Sequence, residues 1–395
     1  MEKIINYTLN SCNKCMKCLR ACPTEAISIN RGKVVINKEN CILCDACVRA
    51  CSSRGLQAKG ATLDTMSKYD YTVALIPTAL LSDSSNQAEI ETWLSAIKKI
   101  GFDEVVDISD ITGAIYKFGQ RYMSETDIPL AISSTCPVIN RLIKVKYPML
   151  LSSILPFEYP VEVAAKLVRK RLAGKYKKVG IYSLCECIAK LSLAKHPYGN
   201  MESNIDYAVA ITDIFPLINR LKDGSREECH FCKEGIHAVV HDFYDLGLEK
   251  KDVLAVDGLD KVQQVLELAE FENLKNIRLL SLYACPNGCI GGRYLWGNPY
   301  VGRVFIERYF KTADKPIADL EFEDIFKLPE TIYHGEVDMK AQMQQFLKVN
   351  QQLDLLPGYD CGACGYPSCR AMAKEIVAGN ATIDECKILK SEVKE

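Results

Sequence analysis

Between about residue 70 and residue 330 the chain alternates short apolar runs with longer amphipathic stretches. Residues 71–77 (YTVALIP) form an apolar run of strand length, and 88–101 (AEIETWLSAIKKIG) have helical spacing with a glycine stop. Residues 104–109 (EVVDIS) read as a strand, and 128–137 (IPLAISSTCP) as a strand running into a cysteine loop. A helix is expected over 161–175, and strands over 177–184 (KKVGIYSL), 205–212 (IDYAVAIT) and 277–286 (IRLLSLYACP). Strand–helix alternation of this kind predicts parallel sheets covered by helices, with chemistry on the loops after the strands.

The two ends of the chain are patterned differently. Residues 26–37 (AISINRGKVVIN) alternate like a hairpin about the turn Asn30-Arg31-Gly32. Residues 337–353 are rich in helix formers and read as a connecting helix, 368–379 as a further helix, and 390–395 as a solvated tail. The domains expected are 1–62, 63–332 and 333–395.

Composition adds one abnormal number: 19 cysteines in 395 residues. A formal net charge of -1 gives no basic field for nucleic acid. The first residues lack the apolar core of a signal peptide, and no run of 18 apolar residues suggests a membrane span. Clustered thiols in a long chain of this kind point to a reducing, cytoplasmic setting and to bound metal rather than disulfides.

Cys12, Cys15, Cys18 and Cys22, and again Cys41, Cys44, Cys47 and Cys51, follow C-x2-C-x2-C-x3-C, the bacterial ferredoxin run. In this pattern the fourth cysteine serves the other cluster. Cys12, Cys15, Cys18 and Cys51 are therefore expected on one 4Fe–4S cluster, and Cys41, Cys44, Cys47 and Cys22 on the second. Zinc is the alternative, but zinc sites use separated pairs rather than such triplets. Pro23 follows the first run; Ser52 stands where the second proline would be.

Cys361, Cys364, Cys369 and Cys386 form a C-terminal group, C-x2-C-x4-C-x16-C, with Gly358, Gly362 and Gly365 letting the backbone bend. It resembles the small 4Fe–4S domain of corrinoid iron–sulfur proteins. Zinc is again the alternative.

Three of the central strand ends carry cysteines, in SSTCP, CECIAK and ACPNGCIGG. These resemble the three signatures of the iron-only (FeFe) hydrogenase catalytic domain, and segments 160–172 and 297–306 extend the match. With the flanking modules, the layout resembles the short, sensory type of hydrogenase-like protein of anaerobic bacteria. The resemblance implies an α/β hydrogenase-like body with an N-terminal ferredoxin-like α+β domain and a small C-terminal helical 4Fe–4S domain. It also implies that Cys136, Cys187, Cys285 and Cys289 hold a cubane, that Cys289 bridges to a diiron subsite, and that Lys190 hydrogen-bonds a cyanide ligand. Partners implied are an electron donor or acceptor such as ferredoxin and, for a sensor, a signalling protein.

Departures from the family pattern matter. Thr135 stands where the family has a proton-relaying cysteine, and a hydroxyl is a poor relay beside a thiol. The family's Met-Pro-Cys reads Cys185-Glu186-Cys187, which points Cys185 into the diiron pocket. Arg293 replaces part of a glycine-rich run; it favours an anionic occupant there, or faces solvent.

Cys185, Cys229 and Cys232 are left without a cluster. Cys229 and Cys232 flank His230 in EECHFCKEG. All three thiols are expected to face the diiron pocket. Three readings stay open: they ligate an additional iron–sulfur cluster there, they are inert thiols or a minor metal clip, or an ordinary diiron site sits beside them. Soft thiolates favour iron–sulfur units. No P-loop or GxGxxG follows a strand, and no carboxylate pair stands out. The expected function is electron relay from ferredoxin-type clusters to a central cubane with a modified reactive centre, reducing a small molecule at low potential. The alternative is a dihydrogen or redox sensor with diiron and little turnover. The sequence leaves open whether the protein is an enzyme and what its oligomeric state is.

Overall fold

The computed structural model describes residues 4–126, 128–195, 202–240, 252–271, 273–325 and 339–392. The expected boundary at 332/333, the start of the 337–353 helix and the end of the tail lie outside the described residues. The chain divides into two units.

The smaller unit comprises residues 5–58, 144–149 and 335–395. Strand β1 (Ile5–Tyr7) pairs antiparallel with β4 (Leu56–Ala58), and β2 (Ile27–Asn30) with β3 (Lys33–Ile36). Asn30 faces Lys33, so Arg31 and Gly32 alone make the turn. Both have positive φ, 47° and 74°, which is the backbone a tight hairpin needs to match strand twist. Short helices α1 (Lys17–Arg20) and α2 (Ala46–Ala50) each start from a left-handed residue, Met16 (φ 62°) and Asp45 (φ 65°). Lys14 and Leu43, both at φ 57°, repeat the correspondence. The two cysteine runs thus share one loop geometry. Further along, helices Met339–Asp354 and Cys369–Val377 pack around Val349, Leu356, Met372, Ala373 and Cys386.

The larger unit comprises residues 1–4, 59–143 and 150–334. Its strands are β5 (Tyr71–Ile76), β6 (Glu104–Asp107), β7 (Ala131–Ile132), β8 (Val179–Cys185), β9 (Tyr207–Ala210), β10 (Val253–Asp257) and β11 (Leu279–Tyr283). Two parallel sheets result, in the orders β6-β5-β8-β9 and β10-β11-β7. Central strands β5, β8 and β11 are buried almost throughout, as their apolar runs require. Helices α3 (Gln87–Lys99), α4 (Ser109–Glu125), α5 (Pro137–Lys146), α6 (Pro160–Leu172), α7 (Ile188–Leu191), α8 (Ile211–Leu221), α9 (Lys233–Val239), α10 (Leu259–Glu270) and α11 (Pro299–Tyr309) connect them. One core joins Val73, Leu75, Ile115, Val163, Ile181 and Leu279, so it spans both sheets.

The 128–137 segment forms only two residues of strand. After Ile132 the chain turns towards Cys136 and the proline that opens α5, with Ile132 also bridged to Ile154. Strand β10, which no sequence pattern singled out, pairs parallel with β11 just ahead of α10. Helices α4 and α9 approach closely because Gly235 has no side chain: a Cβ there would lie 1.9 Å from the Ser109 carbonyl oxygen.

Candidate iron–sulfur site

In the N-terminal module Cys18 feels the charges of Cys51 and Cys12, while Cys44 feels those of Cys22 and Cys41. Cys47 lies among Cys41, Cys44 and Cys22. The fourth cysteine of each run is therefore within electrostatic reach of the other run. Backbone amides reach the sulfurs: Ala26 donates to Cys22 Sγ at 3.2 Å and Lys14 to Cys12 Sγ at 3.4 Å. Burial pushes the Cys44 thiol up to about 12 and raises Cys47 as well. Such thiols stay protonated unless a cation compensates, which is what iron supplies. Cys15 is exposed.

The central cysteines come from loops at three strand ends. Cys136 precedes α5, Cys187 caps α7 just beyond β8, and Cys285 and Cys289 follow β11. Cys289 feels the charge of Cys136, and Cys187 that of Cys285. Lys190 interacts with both Cys289 and Cys187, tying the pairs together. Burial raises the Cys289 thiol to about 12 and Cys187 well above the usual thiol value. The loop around Cys289 is drawn tight. A Cβ on Gly292 would lie 2.6 Å from the Glu186 carbonyl oxygen, and one on Gly291 2.2 Å from that of Pro286.

A cavity of about 40 Å³ opens beside Cys289, lined among others by Pro77, Thr78, Thr135, Glu186 and Lys190. A water needs roughly 10–15 Å³ of such space, so the cavity suits a small molecule. The Lys190 ammonium is paired with the Glu186 carboxylate one turn earlier. Burial alone would depress the lysine; Glu186, Cys289 and Cys187 outweigh it and hold its pKa well above normal. Glu186 is 1% exposed. The sequence contained one signal for this pair, the i,i+4 spacing.

Thr135 Oγ1 stands 3.0 Å from Tyr116 Oη, which is 2.5 Å from Tyr283 Oη. Tyr283 in turn donates to the Ala238 carbonyl. Tyr116 and Tyr283 are far apart in sequence, and neither has a motif that marks it.

The spare thiols do not gather as expected. Cys185 is fully buried at the end of β8, 3.4 Å from Ser183 Oγ, and burial raises it to about 12. Cys229 lines a different cavity, about 220 Å³, with Gln87, Glu91, Tyr309 and Asp314. Gln87 Nε2 donates to its sulfur at 3.4 Å. Cys232 packs on α4, its amide donating to Ser109 Oγ at 2.8 Å and its thiol 3.1 Å from Glu234 Oε2. For Cys232 the reason is α4 itself. Ile108, Thr112 and Tyr116 face the Cys289 cavity, while Ser109 and Gly113 face Cys232. The expectation that Cys229 and Cys232 line that pocket is thereby corrected. His230 is exposed and pairs with Asp314 at 3.0 Å. Arg293 is exposed too, so it meets solvent rather than an anion in the pocket.

At the C-terminus Cys364 feels Cys386 and Cys361, and Cys369 opens a helix with its amide donating to Asp360 at 2.6 Å. Among the described residues no three His, Cys, Asp or Glu side chains stand close enough to share one metal ion. A cubane takes one thiolate at each iron and needs donors spread more widely than those around a single ion. The donor chemistry fits such a group: buried thiols, amide donors, and glycines where a Cβ would close the space.

Three family models match the chain. The 4Fe-4S dicluster domain matches residues 4–52, the iron only hydrogenase large subunit, C-terminal domain, matches 72–230, and an Fe-S cluster model matches 356–388. The hydrogenase match ends before Cys285 and Cys289. This is an iron–sulfur redox protein on an FeFe-hydrogenase-like scaffold. It carries a ferredoxin module at its N-terminus.

Curated relatives share only short segments. One component of the Na(+)-translocating ferredoxin:NAD(+) oxidoreductase complex of Acetobacterium woodii is 54% identical over 33 residues, 8% of this chain and 10% of its own length. One component of the ion-translocating oxidoreductase complex of Rhodobacter capsulatus is 42% identical over 38 residues, 10% of this chain and 20% of its own length. The chain thus spans a fifth or less of these relatives. Among solved structures, FeFe-hydrogenase HydA1 from Chlamydomonas reinhardtii is 14% identical in two variants. One covers 73% of this chain and 92% of that chain with TM-score 0.46; the other covers 70% and 92% with TM-score 0.48. No helix among the described residues is long and apolar enough to cross a membrane.

Proposed function

We propose that electrons enter through clusters on the two ferredoxin runs and reach a cubane held by Cys136, Cys187, Cys285 and Cys289. Beside it, the cavity at Cys289 holds a modified reactive centre that reduces a small molecule at low potential. When bound, the clusters supply one-electron storage and transfer. The chain supplies thiolate ligands, a dry pocket and a fixed charge arrangement.

The observation that carries this reading is the Glu186–Lys190 pair next to Cys289. A lysine offered to an anionic diiron ligand brings its positive charge with it. Here a buried carboxylate already neutralises it. With Cys232 packed on α4 and Cys229 in the cavity of Gln87 and Tyr309, Glu186, which lines the Cys289 cavity, is the protein group best placed to serve an additional iron–sulfur unit, with Cys185 next to it in sequence. The curated relatives' names, one of which includes ferredoxin as a reaction partner, favour a ferredoxin-type carrier as electron donor or acceptor.

A second reading, a dihydrogen or redox sensor with a diiron centre, draws on the retained Lys190 and Cys289 in a cavity of small-molecule size. It calls for a signalling partner. Infrared spectroscopy across the carbonyl and cyanide region, with an iron count, separates the two. The proposal expects no such bands and more iron than four cubanes hold. Strong bands overturn it in favour of the sensor. A Thr135→Cys variant is expected to gain no hydrogen evolution.

A further inference from the structure

The C-terminal cysteine loop lies against the first ferredoxin loop within one unit of the structure. The Ile29 amide, on strand β2, donates to the Gly365 carbonyl at 2.7 Å, so the loop is hydrogen-bonded to the hairpin. Gly365 has φ +96°, and a Cβ there would lie 2.2 Å from the Ile29 carbonyl oxygen. At Gly362 (φ +76°) a Cβ would sit 3.3 Å from Leu19 Cδ2 and 3.5 Å from Met16 Cε. Met16 and Leu19 bracket Cys18, and Gly362 and Gly365 bracket Cys364.

Polar contacts fix the same approach. Ser368, the N-cap of the helix Cys369–Val377, accepts the Ala371 amide at 3.0 Å and donates to Glu25 Oε1 at 2.5 Å. Lys374, on that helix, lies 3.8 Å from Glu25 Oε2. Glu25 itself sits three residues after Cys22. One hydroxyl thus starts the helix that carries Cys369 and anchors it to the ferredoxin module. Cys12 and Cys364 line one cavity of about 710 Å³, with Lys14, Arg31, Tyr366 and Lys387 around it.

We infer that the cluster of Cys361, Cys364, Cys369 and Cys386 exchanges electrons directly with the cluster of Cys12, Cys15, Cys18 and Cys51, making one three-cluster electron store. This rests on reading the three cysteine groups as 4Fe–4S ligands. The step is a single electron leaving one reduced cubane for its oxidised neighbour, with no bond made and no proton required. Tunnelling falls steeply with separation, and the glycine contacts hold the two loops at backbone distance. Lys14, Arg31 and Lys387 around the shared cavity outnumber its one carboxylate, Glu385, and favour the extra negative charge on whichever cluster is reduced.

The test is electron paramagnetic resonance on the anaerobically reduced full chain, with iron counted for each sample. Magnetic coupling between the C-terminal and ferredoxin clusters is expected in the wild type. Cys386→Ala is expected to lower the iron content and to sharpen the ferredoxin signals. Glu25→Ala, which removes both polar anchors from the ferredoxin side, is expected to keep its iron while losing most of the coupling. Ser368→Ala, which frees Glu25, is the milder variant, and it is expected to weaken the coupling without loss of iron. If Cys386→Ala loses iron and the ferredoxin line shapes do not change, the direct exchange is refuted and the cluster reading survives. If Cys386→Ala loses no iron, the C-terminal cluster itself is refuted, and the exchange with it.

Discussion

The phenol oxygens of Tyr116, on α4, and Tyr283, at the end of β11, stand 2.5 Å apart. Tyr283 gives its single proton to the Ala238 carbonyl, so Tyr116 must donate to Tyr283 and accept from Thr135. The chain of hydroxyls runs along the wall of the Cys289 cavity and ends on the Ala238 carbonyl. A proton relay needs a group at its far end that can give or take a proton, and an amide carbonyl is too weak a base for that. The chain locks α4 to β11. Tyr116→Phe leaves buried hydroxyls short of a partner and is expected to lose about 1–3 kcal/mol of stability in anaerobic denaturant unfolding. Any turnover should keep its pH profile; a displaced profile would make the chain a relay after all.

Glu186 and Lys190 form a pair that is dry on the carboxylate side, with side-chain exposures of 2% and 19%. Glu186→Ala strands the ammonium and is expected to cost about 3 kcal/mol. The double variant Glu186→Ala/Lys190→Met removes both charges and should recover much of that loss, the non-additivity expected of touching groups. Equal and additive losses in unfolding curves would show that the two side chains do not interact.

Asp83 accepts the amides of Trp296 at 2.8 Å and Gly297 at 3.0 Å, yet burial raises its pKa to about 6. An acid whose folded pKa exceeds its unfolded value binds its proton more tightly when folded. Its contribution to stability is therefore full below about pH 4 and is lost as pH rises to about 6, then stays flat. Asp83→Asn is expected to remove this descent. Thermal unfolding of the two proteins across that window gives the answer, and parallel curves would refute it.

Because the fourth cysteine of each ferredoxin run is within electrostatic reach of the opposite run, iron losses should follow space rather than sequence. Cys22→Ala with Cys41→Ala is expected to lose little more iron than Cys41→Ala alone. Cys22→Ala with Cys12→Ala should damage two clusters. Iron analysis with reduced-state paramagnetic resonance distinguishes this from clusters built within each run, where the pattern reverses.

Much was legible before any tertiary contact was known. The runs at Cys12–Cys22 and Cys41–Cys51 carry their loop geometry locally, since a C-x2-C spacing with left-handed residues between suffices. The hairpin about Arg31-Gly32 and the strands β5, β8 and β11 follow from turn chemistry and unbroken apolar stretches. The placement of Cys229 and Cys232 did not follow, because nothing in EECHFCKEG records that Cys232 packs on Ser109 and Gly113 of α4 and Cys229 on Gln87 of α3. Nor did the Tyr116–Tyr283 contact, which joins residues with no shared periodicity.

The sequence by itself determined which residues are soft donors, where strands end, and that those ends carry cysteines, because these depend on side-chain chemistry and near-neighbour backbone preference. Only the tertiary structure decided which thiols share a space, that Glu186 neutralises Lys190 beside Cys289, and that the C-terminal loop rests on Ile29. Those outcomes depend on close approaches between distant segments, allowed at Gly235, Gly292 and Gly365 by a missing Cβ, and no local pattern encodes who the neighbour will be.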